Sequence, residues 1–483
     1  MSVFSEMLSF AIKSQNINVN EMIQYCNIDR STMYQIIRGK RKPASIELVE
    51  NMATFLGLSP SECRQFINAY EITRIGEEKF YSRRTILQFL LDFNQLKYSS
   101  SPKKHQNILL EYSPDKIKSG INICLSQISQ ISAYIQRILG QESTKSTGNI
   151  YIIAQPEHLE KINLSACMLN FNSNVSIQHI ICIDNSKTPI KSDPNYNINC
   201  FKSILPFFGM QYKYQPYYYY DQVNSHFSSL NLMPCLFLTS TAAVACSGDL
   251  KEGIYFSQSD ILQSLKNYFI NALDSAKPLS IAFSSVLDTF LLDFFSKTTS
   301  RTLQYYLASE PCLIRFFDDT ILEKYLKSHL PDRKATLNLI KAYIQKQTTF
   351  KNFFYFFTRQ GLQNFLRTGK LHEIPSDIYE PFDYADRIRL LKKLYDENQS
   401  SSRVFLLKNK LGDISDNFNL FSSSSTGYLL FSKYYGSPSL LLIQEPKLIQ
   451  SFYDFLSTLE ESNLTESFEE TQKYLKEVID RSK

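Results

Sequence analysis

Tryptophan is absent from this 483-residue chain, and glycine is scarce, with only 14 residues. The glycines never occur with the spacing Gly-x-Gly, which excludes the usual dinucleotide-binding fingerprint and its phosphate-cradling loop. A Gly-x-Ser-x-Gly nucleophile elbow and a His-Glu-x-x-His helix are missing as well. The sequence therefore offers no signature of the enzyme classes that depend on these motifs, and we predict that the protein is not an enzyme.

Paired cysteines and long apolar runs are also lacking. The nine cysteines are scattered and form no Cys-x-x-Cys pair, so neither a disulfide framework nor a zinc knuckle is predicted. No run approaches the 18 apolar residues of a membrane span, and the first ten residues do not resemble a signal peptide. We expect a cytoplasmic protein with no membrane partner, no metal and no cofactor.

A strong net charge is missing too, because 52 basic residues face 47 acidic ones. The total of +5 is small for this length and gives no argument for nucleic acid, so only local clusters of charge are informative. With 43% hydrophobic and 20% charged residues the chain is typical of globular proteins, and its length predicts two to four domains.

Helix signals are dense between residues 4 and 70. Asn18, Asp29 and Ser59 stand where a capping side chain is needed, and Gly39 and Gly57 stand where helices end. Between these signals apolar residues recur every three or four positions, the period of a helix with one buried face. Five short helices joined by short turns are predicted.

The stretch "DRSTMYQIIRGKRKP", residues 29 to 43, concentrates basic charge beside one of these helices. Its apolar residues Met33, Ile36 and Ile37 share one helix face. The polar residues of the opposite face are Arg30, Ser31, Thr32, Tyr34 and Gln35. The basic residues that follow are Arg38, Lys40, Arg41 and Lys42. Without further context this pattern also fits a solvated basic turn on a helical bundle that binds a protein.

The segment "IDRSTMYQIIRGKRKPASIELVENMATFLGLSPSE" resembles the Cro and phage-repressor (XRE) family of helix-turn-helix regulators, and the resemblance covers residues 4 to 70. The shared features are a capping residue, a polar recognition helix, Gly-Lys with a basic segment, and proline. Two positions depart from the family pattern. Val19 stands where a phosphate-contacting glutamine is common, and Asn27 replaces the usual turn glycine.

The resemblance implies a site for double-stranded DNA at this helix. In such domains the second helix of the motif lies in the major groove. Arg30 is then expected to bind guanine and Gln35 adenine, through base edges that only the major groove presents. The basic residues from Arg38 to Lys42 are expected to contact phosphates, which sets the register without recognising sequence. One such domain makes few base contacts, so a homodimer on two half-sites about 34 Å apart is predicted.

The rest of the chain predicts a larger α/β region, so the fold class is multidomain: an all-α helix-turn-helix bundle, a helical linker, and an α/β part with a helical insert. "NIYIIAQ" and "VSIQHIICID" are short β-branched runs typical of buried strands, and "INICLSQISQISAYIQRILG" is spaced like one long amphipathic helix. The predicted segments are 1–75 (DNA binding), 76–147 (helical linker, possible dimerisation), 148–300 (first α/β half), 301–400 (helical insert) and 401–483 (second α/β half).

A weak internal repeat indicates a duplication. "GIYFSQSDILQSLKNYFINAL" from 253 aligns without gaps with "LLLIQEPKLIQSFYDFLSTLE" from 440, strand over strand and helix over helix. In element order the arrangement is faintly similar to the duplicated phospholipase D-like fold, which also serves as a non-catalytic sensor. That family's reaction uses a histidine with a lysine two positions later. The residues two positions after the six histidines are Asn107, Glu160, Ile181, Ser228, Pro331 and Ile374.

The sequence is compatible with three functions. The first is a sequence-specific transcriptional regulator whose large carboxy-terminal region senses a small-molecule or peptide effector or mediates dimerisation. The second is a DNA-targeted phosphodiesterase or nuclease, which the missing histidine-lysine pair disfavours. The third is a protein-interaction scaffold. A separate hypothesis places a ligand pocket in the tyrosine-rich stretch 210–227, against the alternative of a loop packed across a sheet.

Overall fold

The structure is a computed structural model of the chain, and it describes most of the sequence. The residues described are 2–93, 120–283 and 303–481, except 165–167, 169–170, 185–194, 228–230, 331, 349–351, 373, 375–377, 402, 415–417 and 433–437. The turn-rich stretch 99–107, predicted as a flexible break, lies outside them. The chain forms two compact units, Met1–Thr85 and Ile86–Lys483, which are described separately below.

The first unit is built from the five short helices that the capping signals predict, followed by the start of a sixth. The helices are α1 Val3–Ser14, α2 Val19–Tyr25, α3 Arg30–Ile37, α4 Ile46–Phe55, α5 Pro60–Ile75 and α6 Glu77–Phe93. Asn18, Asp29 and Ser59 each cap the helix that follows, and Ser59 forms a reciprocal capping box with Glu62. Phe4 of α1 packs on Phe66 of α5 with ring centroids 4.7 Å apart, in the centre of the apolar core.

The second unit contains two mixed sheets, each flanked by helices. The strands of the first sheet are β1 Ile123–Ser126, β2 Gly148–Ile153, β3 Val175–Asp184, β4 Lys213–Asp221, β5 Cys235–Leu238, β6 Ala243–Cys246, β7 Glu252–Phe256 and β8 Lys277–Pro278. Its helices are α7 Ile128–Ser143, α8 Pro156–Lys161, α9 Tyr196–Phe208, α10 Val223–His226 and α11 Ser259–Ser275. The strand order is β1-β7-β6-β5-β2-β3-β4-β8, with β2, β3 and β4 parallel and the other pairs antiparallel.

The second sheet follows in the chain. Its strands are β9 Ser280–Phe283, β10 Gln304–Ala308, β11 Phe353–Phe357, β12 Val404–Leu406, β13 Phe418–Ser423, β14 Gly427–Ser432 and β15 Pro438–Ile443. Its helices are α12 Asp319–Tyr325, α13 Arg333–Thr348, α14 Arg359–Thr368, α15 Tyr384–Ser401, α16 Pro446–Leu456 and α17 Phe468–Asp480. The strand order is β12-β11-β10-β13-β14-β15-β9, with β10, β11 and β12 parallel and the other pairs antiparallel.

The two sheets repeat one topology, which confirms the duplication. The order of β1 to β7 in the first sheet is the order of β9 to β15 in the second, with the same parallel and antiparallel neighbours. The gapless sequence alignment holds as well, because Ser259 at the start of α11 aligns with Pro446 at the start of α16. The α/β region therefore consists of two halves with one fold, and the multidomain fold class is confirmed.

One predicted helix is shorter than expected. Residues 121–140 do not form a continuous helix, because Ile123–Ser126 is strand β1, paired with β7, and α7 begins only at Ile128. Ile121, Ile123 and Leu125 alternate with the smaller or polar residues Asn122, Cys124 and Ser126, which is the period of a strand, whereas the isoleucines from 128 onward keep the period of a helix. The predicted linker 76–147 thus contains the edge strand of the first sheet.

Several strands were not anticipated from the sequence, and β4, β10 and β11 are the aromatic-rich ones among them. The segment 301–400 was predicted to be helical, and it contains α12 to α15. It also contains β10 and β11, whose aromatic residues are buried on both faces, so apolar and polar residues do not alternate along these strands. The tyrosine-rich stretch 210–227 contains β4 rather than a loop. Since successive strand residues face opposite sides, its tyrosines are divided between the two faces and do not all line one pocket.

Candidate nucleic-acid interface

Helices α2 and α3 form a helix-turn-helix whose turn depends on the residue types at its two ends. Asn27 adopts φ 49°, in the left-handed region that asparagine tolerates, and thereby provides the turn between α2 and α3. Asp29 then caps α3, because its Oδ1 accepts a hydrogen bond of 2.8 Å from the backbone amide of Thr32. Beyond α3, Gly39 has φ 71°, and a Cβ at this position would lie 2.7 Å from Ser5 Oγ. Glycine is therefore required there by both conformation and space.

The apolar side of α3 fixes its orientation on the bundle. Met33 and Ile36 are buried, and Ile37 is half-buried against the same core. The hydroxyl of Ser9 in α1 donates to the carbonyl of Ile37 at 3.1 Å and so ties the last turn of α3 to α1. Val19 of α2 also packs against this core, consistent with its apolar character. The opposite side of α3 is left to face outward.

The five polar residues of α3 that are predicted to face DNA lie on this outward side. Arg30, Ser31 and Gln35 are exposed, while Thr32 and Tyr34 are half-buried. The guanidinium of Arg30 lies 5.8 Å from the centre of the Tyr34 ring, within the range of a cation–π contact. Gln35 Nε2 donates to Ser31 Oγ at 3.5 Å, which is long enough to be exchanged readily for a stronger partner.

The basic turn after α3 is exposed, but its four cations are not equivalent. Arg38 and Lys40 have exposed side chains. Arg41 Nη1 donates to Thr32 Oγ1 at 3.0 Å, which holds the turn against the first turn of α3. Lys42 Nζ donates to the carbonyl of Arg74 near the end of α5 at 3.2 Å. Lys42 therefore also stabilises a helix terminus, where a cation is favourable.

The charge of the first unit is concentrated at this surface. Met1–Thr85 contains eleven basic and nine acidic residues, and five of the basic ones lie between Arg30 and Lys42. Between residues 22 and 46 the only acidic residue is Asp29. The hydrogen bonds that Asp29 accepts from Thr32 lower the pKa of its carboxyl group, so the cap stays ionised at neutral pH. The surface as a whole is cationic, and it includes the polar outward side of helix α3.

Sequence reasoning missed two supports of this surface, Ser9 and Arg74. Each acts through a backbone or side-chain contact between residues far apart in the chain, Ser9 with Ile37 and Arg74 with Lys42. A serine in an amphipathic helix and an arginine near a helix end have no local signature of such a role. Only the packed bundle reveals it.

The α/β region holds its histidines in separate environments. His179 is buried in β3, hydrogen-bonded to the Tyr214 hydroxyl at 2.7 Å and the Ala154 carbonyl at 3.0 Å, and desolvation lowers its pKa to about 4. His158 is also buried, beside Cys235 Sγ at 3.3 Å, with its pKa lowered to about 4 by desolvation. Both are core residues kept neutral by burial. His105 lies outside the described residues.

Within the described ranges, no three histidine, cysteine, aspartate or glutamate side chains come together in a geometry that could hold a metal ion. None of the helices described combines the length and the apolar character needed to cross a membrane.

Comparison with known proteins assigns neither a family nor a function. No protein-family model matches the chain, and no curated protein matches it. Among solved structures it is similar to TrmBL2, an archaeal chromatin protein reported to show a novel mode of DNA binding, with 9% identity, a TM-score of 0.19, and coverage of 46% of this chain and 72% of that one. It is also similar to phosphatidylserine synthase of Haemophilus influenzae Rd KW20, with 11% identity, a TM-score of 0.20, and coverage of 75% and 94%. Similarity at this level carries no argument about function.

Proposed function

We propose that this protein is a sequence-specific DNA-binding transcriptional regulator. Helix α3 is the recognition helix, the basic turn from Arg38 to Lys42 contacts phosphates, and the duplicated α/β region senses an effector or mediates assembly. The single observation that carries the proposal is the geometry of α3: its apolar residues are buried in the bundle while Arg30, Ser31 and Gln35 point outward beside a cluster of cations.

The residue types on this surface fit duplex DNA better than a protein partner. Arg30 and Gln35 carry the planar, multi-donor groups that match guanine and adenine edges in the major groove. The neighbouring side chains are cationic or polar, whereas a protein-binding surface is expected to have an apolar or aromatic centre and few charges. The phosphate backbone of DNA is negatively charged and therefore complements this cationic turn.

The proposal is tested by selecting duplexes from a random library with the full-length chain and titrating the selected duplex and a scrambled one at two salt concentrations. We expect the selected duplex to bind at least about a thousandfold more tightly, which is the lower end for specific recognition. Affinity for both duplexes should fall as salt rises. Equal affinity for the two would leave only non-specific binding, and no binding at either salt concentration would favour the scaffold function.

A second candidate function, suggested by the duplicated fold, is a phosphodiesterase directed to DNA. Its topology has two equal halves, as in the phospholipase D-like arrangement. No histidine in the chain is followed two positions later by lysine, and the two histidines in β3 and α8 are buried in the core. Hydrolysis of a generic phosphodiester by the purified chain, lost on substitution of the half-buried His226 or the exposed His372, would support this candidate.

A further inference from the structure

The basic turn folds back onto the helix that it follows. The backbone amides of Lys40 and Arg41 donate to the carbonyl of Gln35 at 2.8 and 3.3 Å. From there the side chain of Arg41 extends toward the amino-terminal end of α3, because its Nη1 donates to Thr32 Oγ1 at 3.0 Å. Since Thr32 precedes Gln35 by one turn, the side chain runs back along roughly 4.5 Å of the helix axis. The Arg41 guanidinium therefore lies at the first turn of α3.

Thr32 is held in place by the cap of α3. Asp29 Oδ1 accepts a hydrogen bond of 2.8 Å from the Thr32 amide. The Asp29 carboxylate also accepts a hydrogen bond from the Thr32 side chain, which is the largest cause of the lowered pKa of Asp29. A hydroxyl group has one proton to donate, so Thr32 gives that proton to Asp29 and accepts one from Arg41. Thr32, expected from the sequence to face DNA, is thus occupied in holding Arg41.

The stability of the bundle does not explain a cation at this position. The amino-terminal end of a helix carries partial positive charge, so cations are favourable at the carboxy-terminal end and unfavourable here. Lys42 obeys this rule, since it donates to the carbonyl of Arg74 near the end of α5. Arg41 departs from it and lies at the end of α3 that begins with Arg30. In helix-turn-helix domains this end of the helix contacts base edges.

The guanidinium of Arg41 is suited to a base edge. The side chain is exposed, and the contact with Thr32 involves one of its five N–H groups. Among the four bases, guanine presents two neighbouring acceptors in the major groove, O6 and N7, and these match the planar fork of arginine. The adjacent Lys40 has no such fork and is suited to a phosphate only as a point charge.

We infer, on the basis of the proposed DNA binding, that Arg41 is a specificity-determining residue that binds a guanine in the major groove, and that Thr32 positions it. Arg41 then leaves the phosphate-contacting set of the turn, in which Arg38 and Lys40 remain. One guanine edge accommodates one guanidinium group, so the guanine of Arg41 is not the guanine of Arg30. Each half-site of a selected duplex is therefore expected to contain at least two guanines that the protein recognises.

The test is a fluorescence-anisotropy titration of the selected duplex and of a series in which each G·C pair in turn is replaced by A·T. We expect the wild type to lose affinity by about tenfold or more when the guanine of Arg41 is replaced. Arg41→Lys keeps the charge, so its affinity for a scrambled duplex and its salt dependence should equal those of the wild type. Replacement of that one guanine should, however, cost Arg41→Lys no affinity.

Two variants of Thr32 test the positioning role. Thr32→Val removes the hydroxyl group with little change in shape and should reduce the loss of affinity at the same base pair. Thr32→Ser restores the hydroxyl group and should restore that loss. The matched control is Arg64→Lys, which changes an exposed arginine of α5 outside the surface and should leave the effect of every replacement at its wild-type value. A thermal melt of each variant verifies that the first unit is folded.

The outcomes separate this inference from the proposed function. A wild type that binds the selected and the scrambled duplex equally overturns both. If the wild type prefers the selected duplex and every replacement affects Arg41→Lys as it affects the wild type, Arg41 contacts a phosphate or only stabilises the turn, and the inference alone is wrong. If Arg41→Lys loses recognition of one guanine and Thr32→Val does not, the positioning role of Thr32 is wrong.

Discussion

Arg30 and Gln35 provide the groups with which α3 is proposed to distinguish base pairs, and they differ from the other polar residues of this helix in having planar, multi-donor ends. Both are exposed and neither is held by a strong intramolecular bond among the contacts described above. Arg30→Ala and Gln35→Ala should each weaken binding to the selected duplex by about 1–3 kcal/mol and change binding to random DNA much less.

Fluorescence-anisotropy titration of the two duplexes measures this difference. Arg64→Ala is the control, because Arg64 is an exposed arginine of α5 outside the proposed surface. If both variants lose equal affinity for selected and random DNA, α3 does not recognise sequence through these two side chains.

Lys40 and Lys42 are two residues apart but differ in their partners. Lys40→Ala should weaken selected and random duplexes alike and reduce the slope of log K against log salt by about 1, since one phosphate contact is lost. Lys42→Ala should reduce the slope less, because its ammonium group already donates to the carbonyl of Arg74.

Titrations at four or five salt concentrations give the two slopes, and a thermal melt of each variant gives its stability. Lys42→Ala is expected to lower the unfolding temperature of the first unit slightly while Lys40→Ala leaves it unchanged. Equal slopes and equal melting temperatures would show that the contact with Arg74 has no energetic consequence.

At the scale of the single element, α3 depends on its amino-terminal cap. Hydrogen bonds from Thr32 hold the pKa of Asp29 below its usual range, so the folded state favours the ionised form. The stabilisation is therefore present above the unfolded-state pKa of aspartate and is lost as pH falls through the lower folded-state pKa. Asp29→Ala should remove the cap at every pH, and Asp29→Asn should retain an accepting oxygen without the pH dependence.

Hydrogen exchange of the amides in residues 29–38, followed by mass spectrometry of the full-length chain, tests the cap. We expect faster exchange in Asp29→Ala than in the wild type at neutral pH, and near-wild-type exchange in Asp29→Asn. In acid the wild type should approach the asparagine variant, because a protonated carboxyl group keeps one accepting oxygen but loses the charge. Identical exchange in all three proteins would mean that the cap does not limit opening of α3.

Elements with a local signal were predicted well from the sequence. The caps at Asn18, Asp29 and Ser59 and the turn at Asn27 lie where the residue types required them, because capping involves atoms only two or three residues apart. The outward position of Arg30 and its neighbours followed from helix periodicity alone.

Elements without a local signal were not predicted from the sequence. Strands β4, β10 and β11 are rich in aromatic residues and partly buried on both faces, so neither alternation nor helix period identifies them. The start of α7 was misplaced because Ile123 fits both a helix stripe and a strand, and only pairing with β7 decides between them. The contact between Lys42 and Arg74 joins residues 32 positions apart and has no sequence pattern.

At the scale of the whole molecule, a small helical bundle, for which we propose DNA binding, is joined to a duplicated α/β region several times its length. The two halves share one topology but not one environment, since α16 is buried and α11 is exposed. If two copies of the chain associate, as the few base contacts of one domain predict, each dimer carries two α3 helices. Recognition of two half-sites about one helical turn, or 34 Å, apart is then the expected outcome.

Guanine N7 methylation interference on the selected duplex tests the central claim most directly, because N7 lies on the major-groove edge where Arg30 is proposed to bind. We predict that methylation of guanines in two clusters about one helical turn apart blocks binding of the wild type. The Arg30→Ala variant should lose this sensitivity at one position in each cluster. Binding that no guanine N7 methylation disturbs would contradict entry of α3 into the major groove.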